Sequence, residues 1–244
     1  MRTHSLLFML MLTMAVNSQT PDANTILDKV DENMSAQTQI MTATMEIYSA
    51  RATRTMEMKI WTEGDRKSFT EYLAPAREKG TKMLKLDKQL WVYSPTTDRT
   101  IQISGHMLRQ SVMGSDLSYE DMMTDKRLID QYKAEVTGEQ TIDGRECWEL
   151  TLTAIVSDIN YHSQKIWVDK ERFVMLQAQL FAKSGKQLKE ITFSKVQKIG
   201  GRWFPMSFLY RDVLKNGKGT RVNITKILFN ETIPDNIFNK SSLR

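Results

Sequence analysis

The chain has 244 residues, with 34 basic and 29 acidic side chains giving a net charge of +5 spread along its length. Hydrophobic residues at 41% and charged residues at 26% provide for a buried core and exclude a disordered chain. There is no basic block, a single cysteine (Cys147) and only His4, His106 and His162 as histidines. This excludes a disulfide framework and a thiolate metal cluster, and argues against a histidine metal site or a nucleic-acid groove.

Arg2 and His4 precede an apolar run from Leu6 to Val16, and Asn17 and Ser18 follow it. A charged start, a short apolar stretch, and Val16 and Ser18 at the −3 and −1 positions form a signal-peptidase site after Ser18. The run is shorter than the roughly twenty apolar residues that span a bilayer, although an uncleaved anchor is the alternative. No cysteine adjoins the site to carry a lipid. The expectation is a signal peptide over 1–18 and one domain over 19–244, exported to the periplasm of a Gram-negative-type bacterium.

Pro21, Asp22 and Ala23 open a helix on which Ile26, Leu27, Val30 and Met34 share one face. The period then changes to two. Met41, Ala43, Met45 and Ile47 alternate with Thr42, Thr44, Glu46 and Tyr48, and Met56, Met58 and Ile60 alternate with Thr55, Glu57 and Lys59. Further strands are read at 67–73, 81–86, 89–93 and 100–103. Alternation is lost from Gly105 to Lys133, where Gly114 to Met123 reads as a loop opening a short helix, with Ser118 and Asp121 as a variant capping box. Strands resume at 133–139 and continue to 220–229, separated by Asp143-Gly144, Gly185, Gly200-Gly201 and Asn216-Gly217.

The series amounts to about ten or eleven antiparallel strands with one N-terminal helix and one mid-chain helical insertion. A meander this long must curl, because a flat sheet would leave an apolar face in water. The fold class is mainly β with α: an open, unclosed antiparallel barrel whose helices plug or lid a concave apolar face. That face is either a packed core or a ligand cavity, and alternation does not distinguish them. The unbranched thioethers of Met41, Met45, Met56 and Met58 suit a cavity that adapts to varied chains, and they equally suit ordinary core filling.

Several stretches resemble the outer-membrane lipoprotein-sorting protein family, in the superfamily of periplasmic lipoprotein carriers and their outer-membrane receptors. They are Phe69 to Leu84 with its Pro75-Ala76-Arg77-Glu78-Lys79-Gly80 segment, Gln89 to Pro95, Gly114 to Met123, Ile166 to Lys170, Gly201 to Pro205, and the terminal Ile233-Pro234-Asp235-x-x-Phe238. Together they cover roughly Ile26 to Leu243.

The resemblance implies a carrier that shields acyl chains of lipoproteins or lipids in an apolar cavity. It would take them from an inner-membrane transporter and pass them to an outer-membrane acceptor. On this reading the cavity is lined by Met41, Met45, Met56, Met58 and Ile60 on the first two strands, with Trp91, Tyr93, Trp148 and Leu150. Leu117, Tyr119, Met122 and Met123 form the underside of a lid. Arg66 matches the arginine with which the carriers hold their lid, although Lys67 stands where they have proline. Exposed, it would be only a turn charge.

No catalysis, cofactor, metal or nucleic acid is implied, and the protein is expected as a monomer. A lipid sensor built on the same fold is the alternative; it usually carries a second domain. An enzyme reading finds little support. Glu146 and Glu149 have opposite parity on one strand, and no G-x-S-x-G elbow or phosphate-cradling loop is present.

Overall fold

The computed structural model describes residues 21–49, 52–123 and 127–244; the expected signal peptide lies outside them. Helix α1 (Ala23–Met34) begins where the Asp22 carboxylate accepts hydrogen bonds from the backbone N–H groups of Asn24 and Thr25, at 3.1 and 3.4 Å. Its Ile26, Leu27 and Val30 are fully buried.

The strands are β1 (Thr38–Tyr48), β2 (Thr53–Glu63), β3 (Lys67–Ala74), β4 (Lys82–Leu86), β5 (Gln89–Ser94), β6 (Arg99–Ile103), β7 (Tyr132–Ile142), β8 (Arg145–Ala154), β9 (Ser163–Asp169), β10 (Met175–Phe181), β11 (Gln187–Ile199), β12 (Arg202–Asp212) and β13 (Gly219–Phe229). All thirteen form one antiparallel sheet in the order β6-β5-β4-β3-β2-β1-β13-β12-β11-β10-β9-β8-β7. This exceeds the expected total of ten or eleven, although β4 and β6 fall on the stretches read as strands at 81–86 and 100–103, and each pairs as a strand of its own.

The order has a direct consequence. Two meanders, β1–β6 and β7–β13, are joined along β1 and β13, so β6 and β7 are the two edges of the open barrel. The chain between them, residues 104–131, has to travel from one edge to the other.

Period-two alternation assigns the faces. Met45 lies opposite Met56, Ala43 opposite Met58 and Met41 opposite Ile60, all directed into the main core with α1. On the reverse face Trp61, Phe69, Leu84 and Trp91 stand in register across β2–β5. There Ile233 and the C-terminal 3-10 turns, with Ile237, Phe238 and Leu243, cover them. Two glycines are required by geometry. Gly144 (φ +74°) follows Asp143 (φ +46°) in a two-residue hairpin loop between Ile142 and Arg145. Gly219 (φ +95°) lies so near β12 that a Cβ there would stand 2.5 Å from the Tyr210 carbonyl oxygen.

A candidate ligand site beneath the edge-to-edge connection

The connection from β6 to β7 is built of short 3-10 turns at Gly105–Arg109, Val112–Gly114 and Glu120–Met123, ending in the one-turn helix α2 (Leu128–Gln131). The short helix expected to open from the loop at Gly114–Met123 is a single 3-10 turn, Glu120–Met123. Its apolar side chains face the barrel. Val112 is buried in the main core, and Tyr119, Met122, Met123 and Leu128 pack against it. Leu117 differs from the other expected lid residues. It borders a shallow surface groove with Leu188 and Leu214, because the backbone turns at Ser115–Leu117 and directs its side chain away from the core cluster.

Polar contacts tie this segment down. The expected capping box forms: Asp121 accepts from the Ser118 N–H at 2.7 Å and hydroxyl at 2.8 Å, and Ser118 Oγ accepts from the Asp121 N–H at 3.2 Å. The same carboxylate accepts from Tyr161 Oη at 2.5 Å and from the Lys189 ammonium. Asp121 thus fastens the connection both to the β8–β9 loop and to β11. Only 16% of the Asp121 side chain and 10% of Lys189 remain exposed. Burial pushes the Tyr161 phenol far above its ordinary pKa, and the adjoining Asp121 charge pushes it further.

Two further carboxylates act alike. Asp116 accepts from Thr220 Oγ1 at 2.7 Å and from the Asp212 N–H at 3.1 Å, joining the connection to β13 and β12. From α1, Asp31 accepts from the N–H groups of Leu128 and Ile129, capping α2 at 3.2 and 3.0 Å. Burial raises the Asp31 pKa; those two N–H groups and Arg127 oppose the rise.

Three expectations need correction or refinement. Arg66 does not sit under the connection as a buried latch: 74% of its side chain is exposed, and it pairs with Asp87 of the β4–β5 turn at 2.5 Å. It follows the Gly64 turn at the end of a hairpin, where side chains reach solvent. Trp91 and Tyr93 belong to the reverse-face cluster under the C-terminal turns, because they have the opposite parity to Leu90 and Val92, which face the main core. Met45, Met56, Met58, Trp148 and Leu150 are buried in the main core, with Met41 and Ile60 half-buried against it.

Open volume lies beside this packed region. A cleft of about 470 Å³ lies between the connection, α2, the start of β7 and the β8–β9 loop, with Lys88 of the β4–β5 turn at its border. Another of about 300 Å³ lies between the end of α1 and the β2–β3 hairpin, bordered by Ile60 and Met122. Among the described residues no three His, Cys, Asp or Glu side chains group to hold a metal. Burial pushes the Cys147 thiol up to about 11, which keeps it protonated at neutral pH.

A family model described as "uncharacterized protein" matches residues 64–244. A DUF1329 family protein from Desulfovibrio piger superposes with a TM-score of 0.81 at 25% identity, over 91% of this chain and 98% of that one. A domain described as an outer membrane lipoprotein-sorting protein from Vibrio parahaemolyticus gives 0.77 at 22% identity, over 91% and 99%. A LolA superfamily protein from Nitrosomonas europaea gives 0.73 at 23% identity, over 90% and 98%. The fold is thus the LolA-like open barrel. No curated protein sequence matches the chain.

Proposed function

We propose that this chain, which belongs to the family whose model covers residues 64–244, carries acyl chains of lipoproteins or lipids through the periplasm. One observation carries the reading. The apolar concave face is closed by an irregular connection held through polar side chains, not by further strands. Such a cover can lift without unzipping the sheet. The domain over 19–244 acts as one unit, exported by the signal peptide over 1–18, and exchanges cargo with an inner-membrane transporter and an outer-membrane acceptor. The fold likeness to a lipoprotein-sorting domain and a LolA superfamily protein supports this assignment.

The physics is an exchange of apolar partners. In the closed state Tyr119, Met122 and Met123 pack against the main core, to which Met45, Met56 and Met58 belong. An acyl chain replaces Tyr119, Met122 and Met123 there, gaining about 0.8 kcal/mol per methylene buried. Ten methylenes supply about 8 kcal/mol, against the packing and polar contacts given up by the connection. Methionine suits both states, since its flexible thioether repacks on a disordered alkyl chain as well as on side chains.

Native mass spectrometry of the mature protein, purified from the envelope and then offered lipids, tests the proposal. A bound lipid or acylated peptide near one-to-one is expected. A clean apo mass before and after lipid addition would show that the concave face is only a core.

A further inference from the structure

The cleft beside α2 and the β8–β9 loop combines apolar, amide and charged side chains. Leu108, Met123, Leu128 and Ile159 form its apolar wall, and all four pack against the main core, so a chain lying on them runs directly into that core. Its floor is polar: Gln131 and Gln164 line it, each only 8% exposed, beside Tyr132. An amide offers two N–H donors and two acceptor lone pairs, so a first partner leaves it capacity for a second. At the rim, Lys88 of the β4–β5 turn reaches across to Asp158 of the β8–β9 loop at 3.4 Å, with side chains 81% and 93% exposed. Glu120 lines the same cleft.

An apolar wall, a buried amide floor and a rim with one cation beside two carboxylates match, in order, the parts of a particular amphiphile. We propose that this cleft binds the neck and head of a zwitterionic phospholipid, whose acyl chain lies along Leu108, Met123, Leu128 and Ile159 toward the main core. This inference rests on the acyl-carrier reading and narrows it from lipoproteins or lipids to phospholipids with a phosphate and an ammonium group. The ester carbonyls of the neck pair with Gln131 and Gln164. The phosphate takes Lys88, and the ammonium takes Asp158 and Glu120. Exposed ion pairs contribute little to stability, so exchanging the Lys88–Asp158 pair for a lipid zwitterion costs the fold almost nothing. Seated in the cleft, the lipid also adjoins Asn160 and Tyr161, whose side chains hold the Glu120–Met123 turn.

The test uses the mature protein and three compounds of equal chain length: a lysophospholipid with an ethanolamine head, one with a glycerol head, and the free fatty acid. Calorimetric titration below their micelle concentrations is expected to show the ethanolamine compound bound about tenfold tighter than the glycerol one. Asp158→Asn should reduce that ratio to about twofold or less, and Lys88→Met should weaken both phospholipids relative to the fatty acid. Both positions are exposed, and a melting curve confirms that each variant folds. Binding of all three compounds with equal affinity, unchanged by Lys88→Met, overturns this inference and leaves the carrier reading standing. No binding of any acyl compound overturns both.

Discussion

Asp121→Asn separates a cover held by its polar contacts from one held by packing alone. Asparagine keeps the shape of the side chain, but its single carbonyl oxygen can accept on the Ser118 side or on the Tyr161 side, not both, and it no longer neutralises Lys189. Removing one partner of a fully buried ion pair costs about 3–5 kcal/mol. Because 10–16% of these two side chains stays exposed, about 2 kcal/mol is expected. That cost falls on the closed connection and not on the sheet, since the open state frees Lys189 to meet water. At 1.36 kcal/mol per tenfold, opening of the connection should rise about thirtyfold. Hydrogen exchange read by mass spectrometry is the assay: amides within 105–123 should exchange faster while those of β1 and β2 keep their protection. A second substitution, Lys189→Met, should restore part of the protection by removing the stranded charge. Unchanged exchange in the connection, or a uniform loss across all strands, would refute the assignment of Asp121 as the latch.

Other consequences concern the cover, the turns and pH. Met122→Asp should weaken acyl binding at least tenfold, whereas Leu117→Asp, off the core cluster, should change it less than twofold; both are read by fluorescent fatty-acid displacement. Gly219→Ala forces a methyl against the Tyr210 carbonyl at a φ of +95°, so a loss of about 2–3 kcal/mol and a melting point lower by several degrees are expected; an unchanged melting curve would contradict the close approach. Burial alone would raise the Asp169 carboxyl, but hydrogen bonds from Arg145 and from the Arg172 and Glu171 N–H groups outweigh it and hold the pKa below the ordinary value. Its stabilisation is therefore complete above the unfolded value of about 3.9 and is lost as pH falls through the lower folded value. Denaturant melts across that range should show the acid-side loss in the wild type and a smaller one in Arg145→Met.

Local patterns made much of this architecture legible. Ile26, Leu27 and Val30 mark the buried stripe of α1, and Asp143-Gly144 marks a hairpin, because both rest on neighbours within a few residues. The same period-two rule that places Met56 and Met58 inward also places Trp91 on the reverse face. Reading Trp91 as cavity lining overlooked that Leu90 and Val92 hold the inward parity on that strand. The polar contacts that hold the connection were not legible. Asp121 meets Tyr161 across 40 residues of sequence and Lys189 across 68, distances at which no spacing rule operates. The Ser118–Asp121 box was visible, but it identified a turn, not the carboxylate on which two other elements converge. Arg66 illustrates the converse: a position next to a hairpin turn is exposed whatever role a matching residue has elsewhere.

On the carrier reading, acyl chains occupy the concave face beneath the connection. Photo-crosslinking with a fatty acid carrying a diazirine near its methyl end, followed by peptide mapping, tests it most directly. Labels on the inward residues of β1 and β2, such as Met45, Met56 and Met58, and on the 119–123 turn are expected. Labels confined to the reverse-face cluster around Trp61 and Trp91, or no saturable labelling at all, would contradict the account.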